Sequence, residues 1–159
     1  MMKKLFFAAF LLTGSLFVNA QETKFGVKAG VDLATIKVKF LGTTVSQSET
    51  GFFLGGFVNI GISDKFSVQP ELMYVAITDS NFLSVPILAK YDVAEKIGLM
   101  AGPSLNYFSD LEEDKLKLNI DFGGMYDITE EINVNLKYSL GMGDVSVSGI
   151  FIGAGYTFK

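Results

Sequence analysis

The chain has no cysteine, no histidine and no tryptophan, and every one of its basic residues is a lysine. Without cysteine there is no disulfide to staple the fold and no thiolate nucleophile. Without histidine neither a Ser-His-Asp triad nor the common zinc sites can be built. Proline is scarce, with three residues. Beyond the N-terminal leader there is no apolar run near the length that a membrane-spanning helix needs, although 49% of the residues are hydrophobic. The apolar residues are therefore dispersed, and the pattern of dispersal carries the fold.

The first twenty residues, MMKKLFFAAFLLTGSLFVNA, read as a secretory signal peptide. Lys3 and Lys4 form the basic region, Leu5 to Val18 the apolar region, and Val18-Asn19-Ala20 a small-residue cleavage site. The expected division is a signal peptide over 1–20 and a single barrel domain over 21–159. No cysteine follows the site, which excludes a lipoprotein signal. Two of the thirteen lysines leave with the leader, so the mature chain carries eleven lysines against seventeen acids, a net charge of −6. That balance excludes nucleic acid as a partner, because nucleic-acid binding needs a basic patch.

The mature chain alternates apolar and small or polar residues in eight stretches: 24–36, 51–62, 66–76, 82–93, 97–108, 118–128, 132–142 and 149–159. A period of two marks β-strands. Eight strands of about ten residues match a membrane-spanning barrel. The predicted fold is an all-β, eight-stranded, antiparallel, up-and-down transmembrane β-barrel.

Volume decides which face points outward. One phase carries Phe25, Leu33, Phe52, Leu72, Leu99, Phe122, Leu136, Ile152 and all six tyrosines, and no charge in any of the eight stretches. The bore of an eight-stranded barrel is only wide enough to be filled by side chains, and could not hold that set. An uncharged face that large also does not suit water. The apolar phase therefore meets lipid. The other phase is rich in glycine and carries Lys28, Asp32, Glu71, Lys90, Asp121 and Lys137.

Connections add a second signal. Ser63 to Lys65, Ala94 to Lys96 and Thr129 to Glu131 read as tight turns; 37–50, 77–81, 109–117 and 143–148 read as mostly longer loops. Outer-membrane barrels have short periplasmic turns and longer outer loops, which puts both termini in the periplasm. Tyr91, Tyr126 and Tyr156 fall toward one end of their strands, and Tyr74, Tyr107 and Tyr138 toward the other. This is the placement of two interfacial aromatic girdles.

FGVKAGVDLATI (25–36), GFFLGGFVNIGISDKFSVQPELMY (51–74), VPILAKYDV (85–93), MAGPSLNY (100–107), LKYSLGM (136–142) and IFIGAGYTFK (150–159) resemble the PorT-like outer-membrane β-barrel family. The resemblance runs along essentially the whole mature chain. It implies an outer-membrane barrel but no defined activity, because most such proteins have none assigned; the founding member is linked to a protein secretion system of the outer membrane, and no functional residue is carried over from it. The aromatic residue stands one place before the C-terminus, at Phe158 ahead of Lys159. The chain departs there from the usual ending read by the barrel-assembly machinery.

The six lumen charges read as an ion-pair network, with Lys137 diagonally across from Asp121; a buried charge must be paired. An ion or proton path, and an acid–base pair of Glu71 and Asp121, are the alternatives. Phe53, Phe57, Met73, Leu88, Met100, Met125 and Phe151 share the lumen phase and either pack around the glycines or line a small apolar cavity. Ser109 to Asp114 is an acidic loop that could hold a divalent cation through oxygen ligands or stand solvated. Residues 37–50 keep enough alternation to form a hairpin above the membrane, with an edge open to a protein partner. The expected role is structural or interactive, as an accessory to a larger envelope assembly, with no enzymatic centre and no cofactor. A narrow carrier or channel for a small apolar molecule or ion is the alternative.

Overall fold

The computed structural model describes residues 22–77, 80–109, 116–143 and 145–158. The leader, with its cleavage site, lies outside them, as does most of the acidic loop after Ser109. Eight strands follow one another: β1 (Glu22–Phe40), β2 (Thr43–Gly61), β3 (Phe66–Ile77), β4 (Ser80–Asp92), β5 (Ile97–Phe108), β6 (Leu116–Asp127), β7 (Ile132–Gly141) and β8 (Val145–Phe158). Each pairs antiparallel with its neighbours in sequence, and β1 pairs with β8 from Phe25–Phe158 to Val38–Val145, closing the barrel. Closure leaves no edge strand in the barrel wall below the hairpin.

The alternation sorts side chains between two environments. Phe25, Phe52, Leu54, Leu72, Leu99, Phe122, Leu136 and Ile152 point outward and are exposed. Lys28, Asp32, Phe53, Glu71, Met73, Met100, Asp121 and Lys137 point inward and are buried. A soluble protein shows the reverse; here the apolar surface is outside and the charges are inside. Ile60 stands on the outward phase yet is fully covered.

The three connections at the end that holds both termini are alike. In each, the first two amides turn back onto the carbonyl of the strand that follows: Ile62 and Ser63 donate to Phe66, Val93 and Ala94 to Ile97, and Ile128 and Thr129 to Ile132. Ser63 Oγ accepts from the Phe66 amide, and Thr129 Oγ1 from those of Glu131 and Ile132. These are short-range bonds to turn amides that would otherwise lack partners.

At the other end the reading of long loops needs correction. Most of 37–50 is strand: β1 and β2 pair continuously up to Phe40–Thr43, joined by Leu41 and Gly42. Both joining residues have positive φ, 48° and 78°. This is the two-residue turn whose twist suits a hairpin and which favours glycine. The segment 77–81 likewise shrinks, since Ile77 already pairs with Ser80, and β8 starts at Val145 inside the segment 143–148. Among the described residues the two ends differ through a long hairpin rather than through long loops; most of the connection 109–117 lies outside them.

Candidate functional site

The lumen is filled in layers. Toward the hairpin end Ala34, Phe53, Met73, Val75, Ile77, Phe82, Phe108 and Phe151 form one buried apolar cluster, with Ile36 and Val147 against it. Phe53 and Phe151 meet edge to face at 5.4 Å, and Phe82 lies 4.5 Å from Phe108. Of these, Phe53, Met73 and Phe151 stand out in the sequence. Val75, Ile77, Phe82 and Phe108 are found only by extending the same alternation to the strand ends.

Below this cap lies the charged layer. Lys28 donates to both oxygens of Glu71, at 2.8 and 3.1 Å. Lys137 sits 3.0 Å from Asp121 and 3.9 Å from Glu71. All four side chains are essentially withdrawn from solvent. Neutral donors complete the acids: Gln69 bonds Glu71 at 2.8 Å, and Ser104 and Ser139 both donate to one oxygen of Asp121 at 2.8 and 2.6 Å. Asn119 bridges Ser139 and the Val147 carbonyl. The Lys137 ammonium also stands 4.8 Å above the Phe151 ring, a favourable cation–π distance. Buried charges keep their ionised forms only when paired and hydrogen-bonded; Lys28 and Glu71 meet both conditions, whereas Lys137 is ion-paired but its ammonium has no hydrogen-bond partner among the described residues.

Two of the six lumen charges lie apart from that quartet. Asp32 is 1% exposed, and its Oδ1 has no hydrogen-bond partner among the described residues. Its strand neighbour Phe151 is also the strand neighbour of Lys137, so an aromatic residue separates acid from cation. Lys90 lies toward the termini end, 3.9 Å from Asp92 and partly exposed. The fully buried set is thus two lysines and three carboxyl groups, not the balanced six that the alternation suggests. Alternation assigns a face but not a height, and height follows from the tilt of the strands.

Toward the termini the bore opens. Leu88, Met100 and Met125 form a second apolar cluster. Below it lies a cavity of about 290 Å³, lined by Lys24, Asn59, Gln69, Lys90, Asp127 and Asn133 among others. A void of about 10 Å³ between Lys28, Gln69, Asn133 and Asn135 lies beside the charged layer, and is about right for one water. Among the described residues the lumen is a cup open toward the termini, with the ion layer and the aromatic cluster closing it above. Glu71 and Asp121 do not converge on open space: each is enclosed by its own partners, which leaves no room for a substrate between them.

On the outer surface all six tyrosines occupy the outward phase. Tyr74, Tyr91, Tyr107, Tyr126 and Tyr156 are more than 40% exposed. Tyr156 also donates to Glu131 in the nearby turn at 3.2 Å, holding a phenol where the wall meets the turns.

Comparison with known proteins agrees with this architecture. The family profile described as outer membrane protein beta-barrel domain matches residues 6–158. No curated protein matches the chain. Among solved structures, a de novo designed transmembrane β-barrel superposes with a TM-score of 0.57 at 15% identity, over 87% of this chain and 99% of that one. Ail, the attachment invasion locus protein of Yersinia pestis, gives 0.56 at 17% identity, over 87% and 100%. Neisserial surface protein A gives 0.53 at 17% identity, over 87% and 100%. At these identities the likeness is one of fold.

Proposed function

We propose, from the premise that the chain belongs to the outer membrane protein beta-barrel domain family, that it is a non-catalytic membrane anchor for an interaction hairpin, with both termini in the periplasm. The observation that carries this reading is the β1–β2 hairpin. Its β1 edge is paired with β8 as far as Val38, but β2 first meets β3 at Phe52–Ala76. Thr43 to Thr50 therefore offer an edge that pairs with no described residue. Phe40, Leu41 and Val45 are 71%, 88% and 64% exposed around the tip. An unpaired edge next to exposed apolar side chains invites an added strand from another protein. The backbone would supply affinity, and the exposed side chains of Phe40 and Val45 would supply specificity.

The partner on this reading is a protein of the envelope that presents an extended segment, with the chain as an accessory to a larger assembly of the PorT-like kind. Lipid surrounds the barrel, and the barrel-assembly machinery inserts it. Proline at alternate positions of the edge, Thr44→Pro with Ser46→Pro, should abolish capture of that partner from native outer membranes while the barrel still refolds. Unchanged capture would remove the edge from the reading.

The carrier alternative rests on the open cavity beside Lys90. It requires a ligand to cross the ion layer and the aromatic cap, both closed in this structure.

Topology has its own test. An epitope inserted between Leu41 and Gly42 should be reached by antibody on intact cells. One inserted at Glu95 should be reached only after the outer membrane is opened. The opposite result would invert the barrel.

A further inference from the structure

Five of the eight strand-to-strand ladders run without a break across their paired range: β1–β2, β1–β8, β5–β6, β6–β7 and β7–β8. The other three are interrupted. Between β2 and β3, pairing jumps from Phe57–Glu71 to Ile60–Val68. Between β3 and β4 it jumps from Pro70–Ile87 to Met73–Ser84. Between β4 and β5 it jumps from Pro86–Ser104 to Ala89–Ala101. Each break spans two residue pairs, and each contains one of the chain's three prolines, Pro70, Pro86 and Pro103.

Proline has no amide hydrogen to give to a ladder and is normally kept to sheet edges. Pro70, Pro86 and Pro103 remain paired to the following strand, with Ile87, Ser104 and Ile120. The missing donor in each case faces the preceding strand. The breaks join up: residues 69–72 of β3 release first β2 and then β4, and residues 85–88 of β4 release first β3 and then β5. A continuous oblique seam of unpaired wall crosses one side of the barrel.

Directly behind this seam stands Glu71. It is the seam residue that reaches across the bore, to Lys28 on β1 at 2.8 Å and toward Lys137 on β7 at 3.9 Å. Those two strands belong to the unbroken side. We propose that the β3–β4 wall is a yielding panel and that Glu71, ion-paired across the lumen to Lys28, is the latch that holds it shut. The ion layer supplies from inside the cohesion that the prolines remove from the wall. When the latch is released, the panel parts between Leu72 and Val85 at the height of Glu71, and the lumen meets lipid through its side.

The absence of cysteine makes the test direct, because paired labels can be placed at will. Leu72 and Val85 face each other across the β3–β4 break, and Leu136 and Ile152 face each other across an unbroken ladder. Both pairs would be converted to cysteine in separate samples and spin-labelled in lipid nanodiscs. Dipolar broadening should show a wider distance distribution at Leu72 and Val85 than at Leu136 and Ile152. Glu71→Gln should widen the first further and leave the second unmoved. Amides flanking the breaks should then exchange roughly tenfold faster, with β7 and β8 unchanged. Replacing Pro70, Pro86 and Pro103 together by Val should narrow the seam pair, which keeps the test decisive if Glu71→Gln does not refold. Equal widths for the two pairs in the unmodified barrel, or equal widening of both by Glu71→Gln, would overturn the proposal.

Discussion

Replacing Lys137 by Met should cost the barrel about 3–5 kcal/mol of stability in lipid, the range for removing one member of a buried ion pair. Lys137 serves two acids, Asp121 at 3.0 Å and Glu71 at 3.9 Å, and is 1% exposed. Its loss leaves Lys28 as the sole cation in the fully buried layer, against Asp32, Glu71 and Asp121. Asp121 would keep its two serine donors, which hold it in place but carry no charge. Adding Asp121→Asn should recover part of the loss, with a coupling of about 1–3 kcal/mol in the double-mutant cycle. The measurement is urea unfolding of the refolded protein in lipid. A loss under about 1 kcal/mol, with no coupling, is the behaviour of a water-screened pair and would mean that the layer is wet.

The second large effect belongs to the outer face. Leu136→Arg should cost about 2–4 kcal/mol, the depth-dependent cost of a charge facing hydrocarbon near the midplane. Leu136 is 55% exposed, and its ladder partner Ile152 is exposed beside it. The neighbouring Asn135 is buried and donates to Asn133. Asn135→Arg would meet a lumen already holding Lys28 and Lys137, so its penalty should come from crowding and like charge. The two substitutions should therefore separate with bilayer thickness: a thicker bilayer deepens the cost at Leu136 and leaves that at Asn135 unchanged. Equal costs insensitive to thickness would mean that the outer face does not meet lipid.

Much of this architecture is legible in the sequence because one rule, the exclusion of charge from alternate positions, holds through each of the eight alternating stretches; Lys37 and Lys39 break it only in the part of β1 that runs on into the hairpin. Strand number, strand phase and the inward placement of Lys28, Glu71, Asp121 and Lys137 follow from it. The diagonal contact of Lys137 with Asp121 follows from the short turn that joins β6 to β7. Less legible is which inward residues share a height, because that depends on strand tilt; Lys90 consequently lies at the open end and Asp32 behind Phe151. The hairpin was half visible: the β-branched alternation around Leu41-Gly42 marks it, but a polar stretch such as Thr43 to Glu49 also reads as loop. The seam was present as three prolines in three consecutive strands. Its meaning depends on which neighbour each missing donor faces, and only the register supplies that.

A closed lumen is the claim on which the ion layer, the latch and the hairpin reading all bear. Planar-bilayer recording on the refolded, unmodified protein tests it most directly. The aromatic cap of Phe53, Phe82, Phe108 and Phe151 and the paired layer beneath it predict no steady unitary conductance above the bare bilayer. Stable ohmic channels that persist across voltages would contradict the closed lumen and support the carrier alternative.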